Sequence, residues 1–398
     1  SGVRCAGSAI RKPFPVWECS EETKKEKGGR IPPFSCRKKK MEKIFVINPG
    51  STSTKIALYE GEREVWKESI SHPAEELDRY SSIMEEERMR YSLVVSAAER
   101  HGLSLKELTA VAARGGPIAV FRSGAYCVTE ALAEKARRDP LDQHASILGA
   151  VLAWRITQEY GVPGYIYDAV TVDEMLPVCK ITGLPWVERR GQGHNLNMRA
   201  AAIRLCAEKG LDYHAATILV AHLGGGITMS LHQKGRIVDI IPDEDGSFAP
   251  ERAGLLPITQ YVDMCFSGKY TKKEYLRLMK GGGGLRAWFG TNDTRRVEEM
   301  AAGGEEKAEL VYDAMALNVA KNIARLAPVC EGKVDHIVLT GGIAHSENFV
   351  NRIIPRVSFI APVTVLPGEN EMAALACGVL RVLRGEEACH MYIPGEEQ

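Results

Sequence analysis

The strongest constraint in this chain is a unit that occurs twice: an apolar strand, a tight turn containing glycine, and a second apolar strand. Residues 44–47 run through NPGSTSTK (Asn48 to Lys55) into 56–59. Residues 217–223 run through Gly224, Gly225 and Gly226 into 227–231, and a turn at Gly235 and Arg236 leads on to 237–241. Apolar runs of this length broken by such turns read as β-hairpins. Short strands are also expected at 110–113, 165–167 and 336–339. Helices are expected at 84–101, 144–160, 271–279 and 307–327, from about Ser346, and at 371–383, where Met372, Leu375, Ala376, Val379 and Leu383 share one face. Alternating strands and helices predict an α/β protein, and the repeated hairpin predicts a duplicated fold.

Composition narrows what such a fold can do. The chain has 398 residues, 45% of them hydrophobic, with 51 Lys+Arg against 51 Asp+Glu. It can bury a large core, and at roughly 150 residues per domain it is long enough for two domains. Zero formal charge gives no reason to expect nucleic-acid binding. The longest apolar stretches, such as 145–154, fall short of the roughly 18 residues that a membrane span needs, so no membrane partner is expected.

The charge balance conceals an asymmetry. Residues 1–40 carry 11 basic groups and four glutamates, leaving the rest of the chain with a balancing negative charge. This leader has four prolines, no periodic apolar pattern and no apolar secretory core, and Met41 opens the first convincing strand. It reads as a disordered basic segment outside the fold, and its deletion is expected to leave activity and melting temperature almost unchanged. The alternative for Arg37 to Lys40 is a targeting or nucleic-acid arm. The ten cysteines form no CxxC pair, which fits reduced, mostly packed thiols in an intracellular protein.

Three glycine-bearing turns follow strands: 48–55, 222–228 and 340–344. Backbone N–H groups exposed by glycine, with hydroxyls from Ser51, Ser53, Thr54 or Thr228, can hold phosphate oxygens. The chain has neither GxxxxGK[ST] nor a strand-linked GxGxxG, so a nucleotide here would bind through hairpin loops.

The set NPGSTSTK, HLGGG and LTGGIAHSENF resembles the phosphate and adenosine motifs of the superfamily of acetate and sugar kinases, heat-shock chaperones and actin. More narrowly, GQGHNLN, DEDGSFAPERAGLLP, CFSGKYTKKE, GTNDTRRVEEM, RVSFIAPV and PGENEMAALACGVLRVLRGEE resemble the butyrate kinases, carboxylate kinases related to acetate kinase, over Met41 to about Glu387. The resemblance implies a two-domain actin-like (ribonuclease H-like) α/β fold, with duplicated mixed sheets flanked by helices and an interdomain cleft. The expected limits are 41–190 and 191–375, with a C-terminal helix in 376–398 packing back on the first domain.

It also implies reversible phosphoryl transfer between ATP and butyrate, giving butyryl phosphate and ADP, with Mg²⁺; the alternatives are a kinase for another short-chain or branched-chain carboxylic acid such as acetate, propionate or isobutyrate, and an actin- or chaperone-like ATPase that is not a kinase. Arg114, His144, His194 and Arg252 match the catalytic positions. Ser51, Ser53, Lys55, His222, Gly224, Gly225, Gly226, Gly341 and Gly342 match nucleotide positions, and Asn48, Asp168 and Glu371 match the acidic and amide positions for the metal. A cytoplasmic homo-oligomer is implied as well. Ser346 is read as the cap of the following helix.

Two departures stand out. Gly225 replaces the Asn of the acetate kinase loop, and Gly193 replaces a large aromatic before the second histidine. If Gly193 lines the acyl pocket, the missing ring widens it, and butyrate and branched C4 to C5 acids are expected to be better substrates than acetate.

Overall fold

The computed structural model describes residues 41–395, so the expectations about the leader lie outside the described residues. In chain order the strands are β1 (Lys43–Pro49), β2 (Ser53–Glu60), β3 (Arg63–Ser71), β4 (Ala110–Arg114), β5 (Ala125–Cys127), β6 (Gly164–Tyr167), β7 (Thr217–Leu223), β8 (Ile227–Gln233), β9 (Arg236–Ile241), β10 (His336–Gly341), β11 (Val363–Pro367) and β12 (Cys389–Met391). They form two mixed sheets, β12-β5-β6-β4-β1-β2-β3 and β11-β10-β7-β8-β9.

The duplication is explicit in the pairing. In the first sheet an antiparallel β1-β2-β3 meander sits beside β4, which runs parallel to β1 and to β6. In the second, β7-β8-β9 sits beside β10, which runs parallel to β7 and to β11. Each expected hairpin is present, with Ile47 opposite Ile56 in one and Leu223 opposite Ile227 in the other.

Helices cover both faces of both sheets. One face of the seven-stranded sheet buries Phe45, Ile47 and Val111 against Val94 and the helix Leu148–Tyr160. Its other face buries Ile44, Val46 and Ala112 against Leu375, Ala376, Val379 and Leu380 of the helix Glu371–Leu383. The five-stranded sheet packs Leu219 and Met229 on the helix Glu306–Leu326, and Ile218 and Val220 on the helix Asn195–Lys209. Central strands buried on both sides read as continuous apolar runs, which is why β1 and β7 were legible.

Helix starts follow capping chemistry. Ser346 Oγ accepts from Phe349 N at 3.1 Å, the role expected of it. Thr271 forms a capping box with Glu274. His144 caps a single 3₁₀ turn, Ala145–Ile147, before the α-helix begins at Leu148. Among the described residues, no helix is long and apolar enough to cross a membrane.

Candidate active site

The parallel pairing of β1 with β4 sets Ile47 against Ala113, so the strand ends Asn48 and Arg114 emerge side by side. Glu371 opens its helix there. Asn48 Nδ2 donates to Glu371 Oε2 at 2.8 Å, and the Arg114 guanidinium pairs with Glu371 Oε1. Burial disfavours the charged carboxylate, but the charge and hydrogen bond of Arg114 and the amide of Asn48 outweigh it and hold Glu371 below the usual carboxylate range. Asn48, Ser51, Ser53, Lys55, Arg114, His144 and Glu371 line one cavity of about 290 Å³.

His144 has its Nδ1 taken by Ser146, at 2.8 Å from Oγ and 3.2 Å from the backbone N–H. An Nδ1 that accepts leaves the ring proton on Nε2. Burial and the nearby Arg114 charge lower its pKa, so His144 offers a neutral N–H donor.

A second group grows from the β7-β8 hairpin. His222 and Thr228 are cross-strand partners, and His194, at the head of the helix Asn195–Lys209, places Nδ1 3.0 Å from Thr228 Oγ1. The rings of His194 and His222 stack at 4.0 Å. Burial first, then His222, Arg114 and Arg252, hold the His194 pKa well below the ordinary imidazole value. A Cβ built on Gly226 would lie 3.5 Å from His194 Cε1 and 3.3 Å from Asp243 Oδ2, and Asp243 Oδ2 accepts from Arg252 Nε at 2.8 Å. His194, the glycine turn and Arg252 are therefore immediate neighbours.

Glu369 ties the two groups together. Its Oε1 lies 3.2 Å from His222 Nε2, off the hydrogen-bond direction, and 3.0 Å from where a Cβ on Gly224 would sit. His222 first, and then the charges of Lys55 and Arg114, keep its carboxyl below the usual range. Gly341 has φ of 93°, and a Cβ there would meet Leu223 O at 2.4 Å, so the third turn is pressed against the strand feeding the second. Gly342 beside it has open space on its Cβ side.

Two expectations need correction. Asp168 is not part of this cluster. It has φ of 41°, is 4% exposed, and gives its carboxylate to Gly124 N at 2.7 Å and to Arg199 Nη1 at 3.1 and 3.3 Å. Burial raises its pKa despite Arg199, and its carboxyl is turned to that buried arginine. Gly193 does not line open space. A Cβ there would lie 2.8 Å from the core residue Ile240 and 3.5 Å from Thr228, so the argument for a widened acyl pocket at this position fails.

Three positions were not singled out from the sequence: Asp243, Glu369 and Arg90. Arg90 is fully buried behind the first turn. Its Nη1 donates to Gly50 O at 2.8 Å, Ser53 O at 3.5 Å and Thr54 Oγ1 at 3.1 Å, its Nη2 donates to Ser51 O at 3.3 Å, and Glu86 holds its Nε at 2.8 Å. One guanidinium thus draws three loop carbonyls inward.

Oxygen donors at Asn48 and an ionised Glu371 suit a hard cation such as Mg²⁺, which uses one or two carboxylates alongside water and phosphate oxygens. Among the described residues no three His, Cys, Asp or Glu side chains converge on one point.

Comparison with known protein families matches residues 202–361 to the Acetokinase family. Among solved structures, acetate kinase from Porphyromonas gingivalis is similar at a TM-score of 0.73 and 18% identity, covering 86% of this chain and 100% of that one. A propionate kinase from Francisella tularensis subsp. tularensis SCHU S4 gives 0.68 and 19%, covering 85% and 99%. Acetate kinase from Entamoeba histolytica gives 0.69 and 15%, covering 85% and 98%. At these identities the likeness establishes the fold: this chain has the duplicated actin-like architecture.

Proposed function

We propose that this protein is a carboxylate kinase that transfers the γ-phosphoryl group of ATP reversibly to butyrate or a related short-chain acid. The observation that carries the reading is the gathering of Arg114, His144, His194 and Arg252 around glycine turns, with Asn48 and Glu371 at the edge. The family match over 202–361 and the acetate and propionate kinase neighbours support it.

The residues answer the chemical problem of this reaction. A carboxylic acid with a pKa of about 4 to 5 is ionised at neutral pH, so its oxygen needs no general base. Two anions must nevertheless meet in line, and charge compensation and alignment dominate such a transfer. The carboxylate oxygen forms a bond to the γ-phosphorus while the bond from that phosphorus to the bridging oxygen of ADP breaks. Arg114 and Arg252 offer planar forks suited to carboxylate and phosphate oxygens. His144 and His194, held neutral, act as hydrogen-bond donors toward charge that builds up on the phosphoryl oxygens. Lys55, Ser51, Ser53 and the turns at Gly224 to Gly226 and Gly341 to Gly342 hold the nucleotide. Asn48 and Glu371 would hold Mg²⁺, which supplies charge neutralisation at the phosphates. Asp168, paired with Arg199, is given no direct part. A cytoplasmic homo-oligomer belongs to the reading on the resemblance alone.

The test is ADP formation with ATP and Mg²⁺ in the presence and absence of acids. ADP release that depends on an added carboxylic acid supports the kinase. Slow ADP release indifferent to every acid would instead identify an actin- or chaperone-like ATPase.

A further inference from the structure

A cavity beside Arg252 lies outside the group of nucleotide turns described above. It has a volume of about 670 Å³, and its walls are Leu255, Leu256, Ile258, Tyr261, Leu276 and Met279. They belong to the segment after Arg252, the helix Ile258–Phe266 and the helix Lys272–Met279. Arg252, Asp243 and Asp142, which is two residues before His144, also line it. The cavity is thus continuous with the proposed site through Arg252, the residue offered there to a carboxylate.

Of its six charged lining residues four are paired with one another, and the other two are Asp142 and Arg277. Asp243 is paired with Arg252 at 2.8 Å, and Glu244 is paired with Lys280. Beside them lies apolar surface that the fold leaves uncovered: Leu255 is 62%, Ile258 76% and Leu276 55% exposed, and the helix Ile258–Phe266 has no buried residue. Asp243 accepts from Arg252 Nε and Glu251 O from Nη1, so a guanidinium with donor capacity left beside an apolar trough matches a molecule with an anionic head and a hydrocarbon tail. Taking the proposed kinase activity as its premise, we infer that the trough of Leu255, Leu256, Ile258, Tyr261, Leu276 and Met279 binds the hydrocarbon tail of the acid substrate. The preferred acids are then longer than acetate, extending past butyrate to six-carbon and aryl-substituted acids. This assigns chain-length preference to the segment after Arg252, in place of Gly193.

The experiment measures kcat/KM at saturating ATP and Mg²⁺ for acetate, butyrate, hexanoate and phenylacetate on the full chain. Burial of each added methylene is expected to raise kcat/KM up to about fourfold, with hexanoate at least about tenfold above acetate. Leu276→Asp places a carboxylate in the trough, and the ratio of hexanoate to acetate efficiency should fall by about tenfold or more. Met279→Trp fills the same space and should lower that ratio too, which keeps the test usable should the first variant not fold. Acids that are phosphorylated with hexanoate no better than acetate, or a ratio that neither variant moves, would overturn the subsite while leaving the kinase reading in place. An oligomer that Leu276→Asp dissociates without moving the ratio would mark this face as a subunit contact and also overturn it. Absence of acyl phosphate with every acid would remove the kinase reading on which the inference stands.

Discussion

Replacing Arg252 by alanine removes a cation and uncovers an anion in the same step. Asp243 Oδ2 is 2.8 Å from Arg252 Nε and within van der Waals reach of Gly226, so the variant leaves an unpaired carboxylate beside the glycine turn. A unit charge acting over about 6 to 8 Å at an effective dielectric near 20 is worth about 2 to 3 kcal/mol. The lost attraction and the new repulsion act together on the approach of two anions, and both partners are about a quarter exposed, so solvent screening trims the sum. A loss of roughly 3 to 5 kcal/mol in transition-state stabilisation follows, or about 100- to 5000-fold in kcat/KM. The same pair, about a quarter open to solvent, adds at most about 1 kcal/mol to folding, so the melting temperature should move by only a few degrees. The discriminating step is a double-mutant cycle. Asp243→Asn in the Arg252→Ala background neutralises the uncovered charge and should recover about tenfold or more in kcat/KM. Near-normal turnover in Arg252→Ala, or no recovery in the double variant, would refute the electrostatic argument.

Three further outcomes are expected. Arg90→Lys keeps a positive charge but loses the fork that holds the carbonyls of Gly50, Ser51 and Ser53, so KM for ATP should rise about tenfold while KM for the acid changes less than about twofold; equal rises would show a general loss of structure. His72 and His232 are buried, with pKa values lowered to about 4 and about 3, chiefly by burial. The unfolded chain therefore binds protons that the folded one rejects, full stability is present above about pH 6.5, and it should fall by roughly 2 to 3 kcal/mol per pH unit below that, read from urea midpoints at several pH values. His232→Gln should flatten the slope, and an unchanged slope would contradict the assignment. Gly193→Phe would drive a ring toward Ile240 and should lower stability by about 2 kcal/mol or more; a variant as stable as the parent with only its acid preference altered would restore Gly193 to the acyl pocket.

Much of the fold could be read because burial was written into strand composition. β1 and β7 are apolar on both faces, and the glycine turns after them fix the hairpins. β3 escaped notice because it is an edge strand with polar residues alternating outward. The helix Asn195–Lys209 escaped because its buried residues, from Asn195 and Leu196 to Arg199 and Leu205, do not keep to one stripe. In the site, Arg114, His194 and Arg252 were marked by motif resemblance, and the approach of the two groups is a property of sheet packing. Arg90 and Asp168 show the limit most clearly. Arg90 acts on a turn 40 positions earlier in the chain, which no local pattern records. Asp168 occupies the strand-end position that sites favour, yet a left-handed backbone turns its carboxylate to Arg199. The same holds for Cys127 and Cys389, whose sulfurs lie 2.6 Å apart across a separation of 262 residues.

The central claim is that a cluster of cations and neutral imidazoles brings a carboxylate and a nucleotide phosphate into bonding contact. Incubating the protein with ATP, Mg²⁺, butyrate and hydroxylamine captures any acyl phosphate as a hydroxamate. Hydroxamate formed in step with ADP, and lost in Arg252→Ala, is the predicted result. ADP released with no hydroxamate, for butyrate and for longer and shorter acids alike, would contradict the account.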